Sequence, residues 1–136
     1  MNIATVRAAM AAAMDGATSG VQVNAYALAQ PTPPGIQILS GGVEYDRAFA
    51  RGLDEWTFTV QAFVALNADI GPQKLLDTLC APTGAGSVKA ALEADRTLGG
   101  AVQTLRVLNQ SPARQATRPD GSSMLLVEFS VQVLAN

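Results

Sequence analysis

Histidine is absent from this sequence, and cysteine occurs once, at Cys80. Without histidine, neither a Ser-His-Asp nor a Cys-His catalytic arrangement can be built. A structural zinc site of the usual Cys and His donors is nearly excluded, and a lone cysteine forms no intrachain disulfide. At the end of an apolar helix, such a cysteine usually serves as a small core residue. Charge is also scarce: 15% of the residues are Asp, Glu, Lys or Arg against 49% hydrophobic, with a net charge of −2. The basic residues are scattered from Arg7 to Arg118 without a run, so the many phosphate contacts of tight nucleic-acid binding have no footprint. Long apolar runs are missing as well, and no segment is long enough to span a membrane. The N-terminus, with Arg7 set in an Ala- and Met-rich helical pattern, makes a poor signal peptide. The expectation is a protein made in a cytosol, with no membrane partner.

The 136 residues suit one domain spanning 1–136, and a chain of this length buries about two thirds of its unfolded surface. Abundant Ala and Val beside so little charge predict that a partner covers some apolar surface. Ile3, Val6, Met10 and Met14 fall on one stripe of an opening helix. Asn2 is placed to cap it, and Gly16 to sit just past its end. Val21, Val23, Ala25 and Ala27 alternate with polar residues and predict a strand over 20–28. Pro31, Pro33 and Pro34 then forbid a helix or a central strand. Ile36 to Leu39 read as a short strand, and Ser40 to Gly52 as a loop.

The strongest strand runs from Leu53 to Leu66. Trp56, Phe58, Val60, Ala62, Val64 and Leu66 share one face, which places Trp56 in the core. Glu55, Thr57, Thr59 and Gln61 share the other face, where Phe63 implies that its far end is covered. A helix follows over Pro72 to Leu79, with Pro72 in the first turn and Leu75, Leu76 and Leu79 inward. A short helix spans 87–95, and strands span 101–108 and 124–136. Between those strands, Asn109 to Ser123 reads as a long polar loop. Helices and strands segregated in this order predict an α+β fold. It is an antiparallel sheet of about five strands with the N-terminal helix and two central helices on one face.

Three features invite a chemical reading. The stretch "GAGSVK" from Gly84 to Lys89 resembles a phosphate loop. A P-loop, however, needs its Lys directly after the last Gly, and it follows a buried strand, whereas a helix precedes this turn. Ser87 as an N-cap is the simpler use. "RTLGGAV" from Arg96 to Val102 offers an anion nest, or simply a helix end with a glycine turn. The acids form no obvious pair: Asp54 and Glu55 are adjacent in a strand and point to opposite faces. No catalytic, metal or cofactor residue is assigned.

Three phrases carry a family resemblance: "VEYDRAFARGLDEWTFTVQAFVAL", "GAGSVKAALEADRTLGGAVQTLRV" and "LLVEFSVQVLA". With the order of elements, they resemble the tail terminators, or tail-completion proteins, of long-tailed bacteriophages, particularly those infecting actinobacteria. The resemblance spans nearly the whole chain. It implies an α+β structural virion protein, not an enzyme, that assembles into a ring, usually a hexamer. The ring caps the tail tube, stops its polymerisation and meets the head-completion proteins of the neck, with DNA passing through it. Other neck proteins, such as head-completion or connector proteins, share parts of this layout. A small nucleotide- or ligand-binding domain is the more distant alternative. Ring-forming subunits use heterologous interfaces. The polar segments Glu44 to Gly52 and Asn109 to Ser123 are long for connections in a small domain. Candidate interface residues are therefore Glu44, Asp46, Arg47, Arg51, Arg96, Arg114, Arg118 and Asp120. These loops are expected to contact neighbouring subunits, tube or neck and to order on assembly.

Overall fold

The computed structural model of the chain describes residues 2–17, 20–27, 29, 33–45 and 53–135. Its elements, in order, are α1 (Ile3–Ala17), β1 (Gln22–Asn24), β2 (Gly35–Glu44), β3 (Asp54–Ala65), α2 (Gly71–Cys80), α3 (Val88–Glu93), β4 (Thr104–Gln110), β5 (Arg114–Thr117) and β6 (Ser123–Ala135). The fold is α+β. One sheet has the order β1-β2-β3-β6-β4, and β5 also pairs with β6.

β3 and β6 form the centre, antiparallel from Asp54↔Ala135 to Ala65↔Met124. This register matches the side-chain alternation of both strands, because a slip by one residue would turn every apolar side chain to the wrong face. Phe58, Val60, Ala62 and Val64 of β3 join Val127, Phe129, Val131 and Val133 of β6 in the main core. Val6, Met10 and Met14 of α1, Leu76 and Leu79 of α2, and Val88 and Leu92 of α3 close over them. All three helices therefore cover one face, as the periodicity predicts. Asn2 caps α1 through its side-chain oxygen, which accepts from Thr5 N–H at 3.2 Å.

The second face carries its own small cluster of Phe63, Met124 and Leu126, with Ala116 packed against it and no helix residue included. Phe63 is 2% exposed, so the far end of this face is covered as expected. Trp56 packs against the main core as expected but is not sealed within it. It lies half-buried at the margin, stacked on Phe58 with ring centroids 6.4 Å apart and edge-on to Tyr45. Its indole N–H is buried without a hydrogen-bond partner among the described residues.

Several boundaries also differ from the sequence reading. β1 has three residues, and it pairs parallel to β2, so the sheet is mixed. Its ladder stops where Arg7 Nη1 takes the Ala25 carbonyl at 2.8 Å. Arg7 also donates to the Ile38 carbonyl at 2.9 Å, and its guanidinium lies 4.7 Å from the Tyr26 ring centroid. β2 runs on through Ser40–Glu44, where a loop was expected, by means of a bulge between Ser40 and Val43. There Gly41 approaches β3 so closely that a Cβ would stand 2.1 Å from the Thr57 carbonyl oxygen. A glycine inside a strand often marks such a bulge. Gly16 lies inside α1 rather than beyond it.

Candidate functional site

Nearly half of the segment Asn109–Ser123 is strand. β4 continues to Gln110, and β5 pairs with β6 from Arg114↔Leu126 to Thr117↔Ser123. Ser111 N–H donates to the Glu128 carbonyl at 2.8 Å, bridging the gap between β4 and β5. Apart from residues 111–113 between β4 and β5, Arg118–Ser122 remains as a turn, closed by Arg118 N–H donating to the Ser122 carbonyl at 2.7 Å. The expected long loop is thus a hairpin arm along one edge of β6. The polar content of β5 hides it, since an edge strand needs little burial.

The interface candidates in this arm are held locally. Arg114 Nη2 donates to Glu128 Oε1 at 2.8 Å, and Arg118 lies 3.4 Å from Asp120 Oδ2. The Ser122 hydroxyl and backbone N–H hold the Asp120 carboxyl below its ordinary range, and Arg118 adds to this. Arg96 sits elsewhere, 3.5 Å from Glu93 Oε1 at the end of α3. Glu44 stands opposite Glu55, whose other partner is Leu134, while Arg114 is opposite Leu126. Those positions on β6 are roughly 27 Å apart at the rise of a strand. The described candidates therefore occupy separate regions and form no single constellation. Asp46, Arg47 and Arg51 lie outside the described residues.

Glu93 is the best-connected acid of the helical side. It pairs with Lys89, and its Oε2 accepts the Val107 N–H at 2.9 Å. Val107 belongs to β4, the last strand of the sheet order, so this carboxylate covers a backbone donor on an open edge. Burial works to raise the Glu93 pKa. Hydrogen bonds from Lys89 and Val107, with the charges of Lys89 and Arg96, outweigh it and leave the pKa lowered.

The two phosphate-like features have local occupants. Ser87 caps α3, its hydroxyl oxygen accepting Ala90 N–H at 3.1 Å while the hydroxyl donates to the Ala81 carbonyl. Gly84 and Gly86 take positive φ in the turn from α2, as the cap-and-turn reading requires. In "RTLGG", Leu98, Gly99 and Gly100 all have positive φ. The resulting nest is filled by Asp95, which accepts from Thr97 N–H at 3.1 Å and Gly99 N–H at 2.9 Å. The Thr97 hydroxyl, then the Gly99 N–H, hold the Asp95 carboxyl below its usual range.

A cleft of about 170 Å³, which sequence reasoning did not find, opens between the end of α2, the start of α3 and β4. Its walls are Cys80, Pro82, Lys89, Val107, Asn109, Gln110 and Phe129. Burial, then the nearby Asp77 charge, push the Cys80 thiol pKa up, against a hydrogen bond with Gln110. A thiol raised in this way is a weak nucleophile. Among the described residues no cluster of three or more His, Cys, Asp or Glu is placed to hold a metal, and no helix is long and apolar enough to cross a membrane. No family model matches the chain, and its sequence matches no curated protein.

Proposed function

We propose that the chain is a structural virion protein, the ring-forming tail terminator of a long-tailed bacteriophage. In this reading the ring, a hexamer, caps the tail tube and offers a joining surface to the neck. The observation that carries the proposal is the resemblance of three phrases across nearly the whole sequence. It is supported by agreement between the fold class that the resemblance implies and the α+β architecture. The low charge fits a subunit that buries surface against its neighbours. The helix-free sheet face, with its row of hydroxyl and amide side chains, fits polar contacts in an assembly.

The test is deletion of the gene from the phage genome that carries it, with particles imaged by electron microscopy. Tubes of unregulated length without heads are the expected result. Tails of normal length that fail to join heads would move the assignment to a head-completion or connector protein. Unchanged infectious particles would remove the virion role altogether.

A further inference from the structure

We propose that β5 takes up a further strand at its outer edge, and that this strand is β5 of a second copy, paired antiparallel about Gln115. The edges of the sheet are treated unequally. On one side, Arg7 takes the carbonyls of Ala25 and Ile38 where β1 ends, and the bulge between Ser40 and Val43 interrupts β2 beyond that point. On the other side, α3 packs against β4, and Glu93 accepts the outward Val107 N–H at 2.9 Å. Covering helices, bulges and charged side chains are the usual means of blunting an edge. β5 is left plain. Its ladder with β6 is regular from Arg114↔Leu126 to Thr117↔Ser123, and the cluster behind it, Phe63, Met124 and Leu126, includes no helix residue.

Backbone alternation decides which groups face out. Arg118 N–H donates to the Ser122 carbonyl, so in the same register Ala116 and Arg114 exchange bonds with Met124 and Leu126. The N–H and C=O groups of Gln115 and Thr117 therefore point away from β6. Among the described residues, no hydrogen bond reaches them. A bare edge of this kind pairs with an added strand through main-chain bonds. Charge and length point to the occupant. Arg114 is neutralised by Glu128, and Arg118 by Asp120. The edge therefore selects neither an acidic nor a basic strand and does not repel its own copy. Pro112 and Pro119 lack an N–H and bound the segment, which leaves room for a partner as short as β5 itself. Pairing about Gln115 sets Gln115 opposite its counterpart, Arg114 opposite Ala116 and Thr117 opposite Ala113. No like charges then face each other across the pair. Identical patches make an isologous pair and not a ring, so this contact stands separately from the ring reading.

The experiment uses the full chain carrying Cys80→Ser. Gln115→Cys then sets two thiols opposite each other across the pair, with Cα atoms about 5.5 Å apart, within disulfide reach. Thr117→Cys leaves them out of step, roughly 13 Å apart along the strands. Mild oxidation at high protein concentration is expected to give a disulfide dimer for Gln115→Cys and none for Thr117→Cys. Equal crosslinking of the two, or none of either, overturns the pairing. In sedimentation, Gln115→Pro is expected to weaken self-association of the parent chain roughly tenfold or more, because it removes both N–H donors at the axis. The ladder with β6 is spared, since the lost N–H faces outward. A parent that stays monomeric at millimolar concentration, or association unchanged by Gln115→Pro, overturns the inference.

Discussion

The two faces of the sheet are built by the same strands and do different things. The helical face carries Phe58, Val60, Phe129 and Val131, all but sealed from water by α1, α2 and α3. On the other face, Thr57, Thr59, Gln61, Ser130 and Gln132 alternate with them, half-buried. The two amides among them have partners on the same face: Gln37 donates to Gln61 and Gln132 to Glu55, each at 2.6 Å. Burial of apolar area holds the first face. The second is stabilised in part by side-chain hydrogen bonds, each typically contributing about 1 kcal/mol and more where a carboxylate accepts. Away from the Phe63, Met124 and Leu126 cluster, the fold therefore depends on one face and leaves the chemistry of the other free to vary.

The sharpest way to break this comparison is one truncation on each face at neighbouring positions of β3. Phe58→Ala should cost about 3–5 kcal/mol in urea unfolding, the usual range for a sealed aromatic. Thr59→Ala should stay within roughly 0.5 kcal/mol. Equal losses would mean that the second face is as structural as the first. Trp56→Ala, at the half-buried margin, should fall near 2 kcal/mol, below the range for a sealed aromatic.

The bulge of β2 gives the next effect in size. Gly41→Ala places a methyl against the Thr57 carbonyl, and such overpacking costs about 1–3 kcal/mol. Gly42→Ala has open space and should be nearly neutral. Comparing the two melting temperatures checks this, and the reverse ranking would relocate the bulge.

Acid unfolding tests the carboxylates of the helical side and of the turn between β5 and β6. Glu93, Asp95 and Asp120 all have lowered pKa values. Their contribution is present above the ordinary carboxylate range near pH 4 and is lost as the pH falls through their folded values. The urea midpoint should therefore drop below about pH 4. Glu93→Gln should flatten part of that drop, because the amide keeps an acceptor for Val107 N–H and loses the titrating group. A midpoint independent of acid would show that these groups titrate alike in both states.

Legibility in the sequence follows the same division. The α1 stripe, β3, the caps at Asn2 and Ser87, and the covered end at Phe63 were readable because period and capping chemistry act locally. β5 was not, since "RQAT" carries no apolar alternation and its pairing is decided by β6, a distant partner. The parallel pairing of β1 escaped for a similar reason, because Arg7 redirects the chain after Asn24 through tertiary hydrogen bonds. The "SGG" of β2 did hold a signal, a glycine inside a strand, and was read as a loop. As for the site, the polar candidates were visible as residues. Their separation across the sheet, and the cleft at Cys80, depend on packing that no local pattern encodes.

The smallest expected effect is none, at the turn that joins α2 to α3. A phosphate site there would need Lys89 and the Ser87 hydroxyl free to meet an anion. Ser87 instead binds both Ala90 N–H and the Ala81 carbonyl, and Lys89 pairs with Glu93. A helix, not a strand, enters the turn, so its backbone lacks the strand-to-helix geometry that aims N–H groups at a phosphate. ATP or GTP with Mg²⁺ should therefore leave the melting curve where it is. A ligand at 100 times its Kd would add about 2.7 kcal/mol of stability, well above what thermal unfolding resolves. A reproducible rise of that order, abolished by Lys89→Ala, would show that the turn opens to bind nucleotide.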